Sequence, residues 1–228
     1  MKFLSKRLSA IASLVDKGSY IADIGSDHCA LPIALFEEKK IQKAFAVENK
    51  KGPYERMKKA IDNSGFPIIP SLSNGLSKLP KEVDTVILAG MGGPLIVRLL
   101  SEDQKKLQNV QTLIIDAHNE RPFVTRFLEK EGYFLFENIF LIEEGIPYDI
   151  MKWRKGRKET PYTDLEIEFG PLNLRRRPKD WLLALERSLK EKERILPLLS
   201  AGSERKKLLQ KDIENTKGIL YENEKSHS

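Results

Sequence analysis

The sequence is poor in the residues that build redox and metal centres. A single cysteine, Cys29, stands in 228 residues, which excludes an internal disulfide framework and a cysteine-rich zinc site. Three scattered histidines supply no ligand cluster in its place, so no metal is expected. No apolar run approaches the ~20 residues of a membrane span. The amphipathic stretch 1–14, with Lys6 and Arg7 inside it, lacks the apolar region and small-residue cleavage site of a secretory signal. Internal repeats and low-complexity domains are missing as well. The expectation is a cytoplasmic protein without membrane association; the sequence is silent on oligomeric state.

Hydrophobic residues make up 40% of the chain and charged residues 32%, enough for a real core in a domain with an appendage. The net charge of +6 is unevenly placed. Residues 1–150 hold 20 basic and 20 acidic residues, while 151–228 hold 19 basic and 13 acidic, so the whole excess lies in the last third. A polyanionic partner, above all a nucleic acid, and a merely solvated basic helix surface both account for that asymmetry.

Along the first 150 residues, short apolar segments alternate with amphipathic ones. Strands are expected at 20–24, 44–47, 68–71, 85–89 and 112–116, and helices at 30–38, 54–63, 94–100 and 122–131. Pro94 and Pro122 suit first helical turns, and Gly65 and Gly132 suit helix ends. Such alternation specifies an α/β fold whose parallel sheet is covered on both faces. Segments 133–142 and 148–154 read as an antiparallel pair closing that sheet. A further strand is expected at 165–169. From Lys179 to about Tyr221 the period is helical, broken by Ser200-Ala201-Gly202-Ser203, which predicts an α-helical hairpin with Pro197 shortening its first arm. The tail from Asn223 reads as disordered. The division expected is 1–158 for a ligand-binding domain and 159–228 for a basic C-terminal region.

In an open parallel sheet, ligands bind beyond the carboxyl ends of the strands at the switch point. The first strand delivers Asp23, Gly25, Ser26 and Asp27 to that edge, and the second delivers Glu48. A carboxylate at Glu48 can accept both ribose hydroxyls of NAD or of S-adenosylmethionine; an acid past a strand is otherwise a turn or cap residue. The loop separates the two cofactors. A dinucleotide fingerprint starting at Gly25 needs its second glycine where Asp27 stands, and Asp27 would repel a diphosphate. S-adenosylmethionine, with hydroxyls and positive charge, suits the two acids better. Gly90, Met91, Gly92 and Gly93 end the fourth strand and permit close ligand approach, with Met91 packing on a ring or in the core. Asn74 and Gly75 are placed to meet an adenine ring.

The segments Leu4-Ser5-Lys6-Arg7-Leu8, Ala22-Asp23-Ile24-Gly25-Ser26-Asp27-His28 and Ala89-Gly90-Met91-Gly92-Gly93 together resemble the bacterial tRNA adenine-N1 methyltransferases acting at position 22. The resemblance runs through Glu48, Gly52-Pro53, Asn74-Gly75-Leu76, Glu143-Glu144-Gly145 and Phe169-Gly170-Pro171, most of the first 175 residues. It implies a Rossmann-like class I methyltransferase sheet with a coiled-coil-like C-terminal hairpin assisting tRNA recognition, and S-adenosylmethionine as cofactor. It also implies a cofactor site lined by Asp23, Gly25, Ser26, Glu48, Asn74, Gly75, Gly90 and Met91, with Asp27 the acid nearest the reacting centre. The chain departs from the family at Cys29-Ala30, where Ala-Tyr is common, and at Asp116-Ala117-His118-Asn119, where Gln-Pro-Asn-Asn is frequent. Gly145-Ile146-Pro147-Tyr148-Asp149 also lacks a usual lysine.

Adenine N1 carries an in-plane lone pair, so methylation there needs alignment and dryness rather than a covalent intermediate. Asp27 is expected to be catalytic, meeting the positive charge that develops on the adenine; the other reading makes it a helix N-cap. His28 and Asn119 are expected to position the base, and Lys6, Arg7, Arg175, Arg176 and Arg177 to contact RNA phosphates. A small-molecule methyltransferase, a nucleotide-linked oxidoreductase and a non-catalytic RNA-binding protein are the competing readings.

Overall fold

A computed structural model describes residues 4–221; the expected disordered tail lies outside the described residues. Seven strands form one sheet: β1 (Tyr20–Ile24), β2 (Lys43–Glu48), β3 (Ile68–Leu72), β4 (Thr85–Met91), β5 (Thr112–Ala117), β6 (Tyr133–Glu143) and β7 (Ile146–Lys155). Their order is β3-β2-β1-β4-β5-β7-β6. The first five run parallel, and β7 lies antiparallel between β5 and β6. The order reverses between β1 and β4, which is the switch point of the sheet.

Alternation along each strand builds two apolar layers. Ala22, Val86, Leu88, Leu113 and Ile115 face one, and Ile21, Ala44, Ile87 and Ile114 the other. Helices α1 (Lys6–Leu14), α2 (Ala30–Glu37) and α3 (Lys51–Ser64) cover the second layer through Ile11, Leu35 and Met57. Helices α4 (Gly93–Glu102) and α5 (Arg121–Lys130) cover the first through Ile96, Leu100 and Leu128. The amphipathic N-terminal stretch becomes α1 because Ser5 caps it, accepting the Leu8 amide, while Ala10, Ile11 and Leu14 are buried.

One expected element is corrected. Residues 165–169 form a helix, α6 (Asp164–Phe169), instead of a strand. Thr163 and Glu166 make a reciprocal capping box: the Thr163 hydroxyl accepts the Glu166 amide at 3.2 Å, and the Glu166 carboxylate accepts the Thr163 amide at 2.8 Å. Helix α7 (Pro171–Arg176) follows. Both pack onto the sheet, since Tyr162, Ile167 and Leu172 join the first apolar layer. The Tyr162 hydroxyl accepts the Leu135 amide at 2.8 Å.

The hairpin consists of α8 (Lys179–Ile195) and α9 (Glu204–Tyr221). A 3-10 turn at Leu196–Leu198 carries Pro197, as the missing amide requires, and Gly202 adopts φ 75° in the connection. Leu189 and Ile213 are buried, and Lys192–Asp212 (2.8 Å) and Lys217–Glu193 (2.7 Å) bridge the arms. The base of the hairpin is anchored by buried Trp181 and by Asp180, which accepts the Ile142 amide at 3.1 Å. Among the described residues, no helix is long and apolar enough to cross a membrane.

Candidate active site

The turn after β1 leaves the sheet sharply because Gly25 adopts φ 81°, where a side chain is disfavoured. The Gly25 and Ser26 amides both donate to the Val47 carbonyl, at 2.9 and 3.1 Å, which ties this turn to the end of β2. A Cβ on Gly25 would lie 2.6 Å from Met91 Cε, the tip of a flexible side chain, so the turn and the end of β4 approach closely here and the positive φ is what favours glycine. Gly75 is similar: φ is 51°, and a Cβ would lie 2.9 Å from Leu99 Cδ2.

Between these elements lies a cleft of about 130 Å³ lined by Gly25, Glu48, Asn74, Gly75 and Met91, among others. Five of the residues expected at a cofactor therefore share one wall-to-wall site. Glu48 is buried and its Oε1 accepts the Asp27 amide at 2.7 Å. Its other oxygen has no protein partner among the described residues and is available to a ribose. Asp23 lies behind the turn, buried, and accepts the Ser26 hydroxyl at 2.6 Å. Burial pushes its carboxyl up to about 6; the Ser26 bond opposes that shift and the Glu48 charge adds to it. Asn74 Nδ2 donates to Glu102 at 3.2 Å at the mouth. Two acids, a glycine cradle and an amide make a donor and acceptor set that fits S-adenosylmethionine.

Asp27 has φ 29° and does not cap α2; Cys29 holds that position, with φ 54° and no side-chain cap bond. Its carboxylate, 44% exposed, pairs with Arg56 of α3 at 2.8 Å and lies 3.5 Å from His28 Nε2. Sequence reading missed Arg56, because no local pattern links α3 to this loop.

Across the site, the ends of β4 and β5 meet α1. Gly90 (φ 77°) sits at a β-bulge between Ala89 and Met91. A Cβ there would lie 2.7 Å from Arg7 Nη2 and 3.7 Å from His118 Nε2. Arg7, expected on the surface as a phosphate contact, is drawn inward instead: its Nε donates to Asp116 at 2.5 Å, and its guanidinium covers the Tyr148 ring at 5.3 Å. Asp116 and Tyr148 were not among the expected site residues, although Asp116 ends a parallel strand just as Glu48 does. Asn119 holds the opposite turn, its Oδ1 accepting the Gly93 amide at 3.1 Å. Lys6 reaches this region through its backbone, its amide donating to Glu143 at 2.6 Å.

The three arginines do not gather at the cleft. Arg176 pairs with Glu137 of β6, the outermost strand, while Arg175 is exposed and Arg177 is half-buried. A second cleft of about 360 Å³ runs from His118 and Asn119 to Trp181, Ser188 and Lys192 of the hairpin. Among the described residues no group of metal-ligating side chains occurs.

A parallel sheet reversing at β1 and β4, with a cleft lined by Glu48 at the reversal and an antiparallel last pair, defines a Rossmann-like methyltransferase. A family model for a methyltransferase domain matches residues 4–151. A Bacillus subtilis tRNA (adenine(22)-N(1))-methyltransferase is 33% identical over 172 residues, covering 74% of this chain and 72% of the relative. The chain belongs to that family of tRNA methyltransferases. Among solved structures, Streptococcus pneumoniae Sp1610 in complex with S-adenosyl-L-methionine is 30% identical with a TM-score of 0.89, covering 96% of this chain and 100% of that one. M. capricolum TrmK in complex with S-adenosyl-homocysteine is 26% identical with a TM-score of 0.87, covering 95% and 97%.

Proposed function

We propose that this protein transfers a methyl group from S-adenosylmethionine to N1 of adenine 22 in tRNA. The observation that carries the reading is the cleft joining Gly25, Glu48, Asn74, Gly75 and Met91, in a chain 33% identical to a tRNA (adenine(22)-N(1))-methyltransferase. The cofactor supplies an electrophilic methyl group. Glu48 binds the ribose hydroxyls, Asn74 the adenine edge, and ionised Asp23 with Ser26 complements the cationic end.

The target adenine enters between the turn at Gly90 and the end of β5. Asp27, half-exposed, held by Arg56 and with His28 Nε2 3.5 Å away, is the carboxylate assigned to its exocyclic amine, where it stabilises positive charge. Asn119 keeps the Gly92-Gly93 turn in place beside it. Turning the base out of the tRNA stack costs a few kcal/mol, and phosphate contacts from the basic last third offset it. Residues 1–158 form the cofactor-binding unit and 159–228 the RNA-contacting one. The setting of this reaction is the cytoplasm.

Calorimetry with S-adenosylmethionine, followed by methyl transfer to unmodified tRNA and base mapping, tests the proposal. N1-methyladenine at position 22 is the expected product. Cofactor binding without transfer to any tRNA would instead favour an RNA-binding protein on a methyltransferase fold.

A further inference from the structure

Asp116 is the most deeply buried carboxylate at this edge of the sheet, 1% exposed. Its Oδ2 takes the Arg7 Nε bond at 2.5 Å, and its Oδ1 has no hydrogen-bond partner among the described residues. Arg7 is thereby fixed by one nitrogen only. Its terminal nitrogens make no hydrogen bond among the described residues, and Nη2 stands over the Gly90 turn, where a glycine Cβ would approach it to 2.7 Å. The Tyr148 ring, 5.3 Å below, holds the plane of the fork. Two independent elements keep this arrangement in register. The Glu143 carboxylate accepts the Lys6 and Arg7 amides at 2.6 and 3.3 Å, pinning the first turn of α1 to the end of β6. The His118 amide donates to Met91 at 2.9 Å, pinning the end of β5 to β4.

An arginine presented to the target base creates a conflict. Methylation turns the N1 lone pair into a new N–C bond while the S–C electrons stay on sulfur, so the positive charge passes from sulfonium to adenine. A bare guanidinium beside the base opposes that transfer through Coulomb repulsion, which the low-dielectric interior magnifies. A carboxylate bonded to the far side of the guanidinium cancels the net charge and leaves the donors in place.

We propose that Asp116 is a positioning residue that makes Arg7 a charge-balanced pair of hydrogen-bond donors to the target nucleotide. This rests on the reading of the site as an RNA adenine methyltransferase. Asp116 itself does not touch the substrate; it acts through Arg7.

The test compares wild type, Asp116→Asn, Arg7→Met and the double variant by single-turnover methylation, tRNA binding against salt, cofactor calorimetry and thermal melting. Asp116→Asn keeps a hydrogen-bond acceptor but leaves Arg7 unbalanced. It is expected to slow methyl transfer about tenfold or more. In the same variant tRNA binds as tightly or tighter, with a salt slope steeper by up to about one, because the freed cation meets phosphate. Cofactor affinity stays within about twofold, since Arg7 does not line the cofactor cleft. Removing Arg7 as well restores charge balance, so the double variant is expected to methylate faster than Asp116→Asn alone while the two melt at similar temperatures; a purely structural ion pair would show the rescue in the melting temperature as well. The inference is overturned if Asp116→Asn methylates within about twofold of wild type, or if the double variant is no faster than Asp116→Asn. If wild type itself makes no N1-methyladenine on tRNA, the reading of the site fails first and takes the inference with it.

Discussion

The Ser26 hydroxyl donates to the Asp23 carboxylate across 2.6 Å, at a position where Asp23 is 7% exposed. That contact lowers the acidity penalty of burial without removing it, and the carboxyl still stands near 6 against an ordinary 3.8. The folded chain therefore binds this proton more tightly than the unfolded chain. The stabilising contribution of the group is complete below its ordinary value and is lost as the pH rises through about 6. At neutral pH the protein carries a buried charge that waits for a cation.

One consequence is measurable directly. Asp23→Asn should melt higher than wild type at pH 7, by an amount corresponding to at most about 3 kcal/mol, while losing tenfold or more in S-adenosylmethionine affinity. In wild type, affinity for the cofactor should rise between pH 5 and pH 7. Equal affinity at the two pH values, by calorimetry, would remove Asp23 from the cofactor site.

Glu48 serves both the protein and the ligand in the proposed site. Glu48→Ala removes the acceptor of the Asp27 amide and the ribose contact together, and is expected to raise the cofactor Kd by about a hundredfold. Glu48→Gln retains one acceptor and should fall between that variant and wild type. A Glu48→Ala variant with unaltered Kd would place the ribose elsewhere.

At Gly25, alanine would bring a Cβ within 2.6 Å of Met91 Cε and force a side chain into φ 81°. Met91 is flexible and can retreat, so the lasting cost is the backbone strain, about 1–2 kcal/mol. The thermal shift produced by saturating cofactor should shrink with it. Circular dichroism of the ligand-free variant should remain that of wild type.

The arginines after α6 should separate by measurement. Arg176 is paired with Glu137, so Arg176→Ala is expected to act mainly on stability, by about 1 kcal/mol or less. Arg175→Ala and Arg177→Ala should instead weaken tRNA binding and lower its salt slope by about one each. A salt slope unchanged in both would move the RNA away from this segment.

Much of the fold is legible because it follows from local chemistry. The end of β1 at Ile24 is read to the residue, those of β2 and β4 one and two residues short of Glu48 and Met91, and the glycines at 25, 65 and 90 are set by turns and caps within a few residues. The misreading at 165–169 has the same root: Leu165, Ile167 and Phe169 alternate as in a strand, yet Thr163 and Glu166 start a helix and leave Leu165 45% exposed. The side-chain pairings of the site are another matter. Arg56 meets Asp27 across 29 positions and Arg7 meets Asp116 across 109, distances at which no periodicity carries information. Asp27 could be picked out as unusual, but not the partner that holds it. Arg7 could be counted as a surface cation, but not as one turned inward.

The Glu143 carboxylate that accepts the Lys6 amide closes a loop of 137 positions. On a ribosome, α1 is made before the sheet, and its first turn, capped locally by Ser5, waits for nearly all of that sheet before the Glu143 contact can form. Closing so long a loop is entropically costly and comes late in folding. In the proposed site, the contact that seats the N-terminal helix beside the target base is thus among the late ones to form, after the turns that line the cofactor cleft.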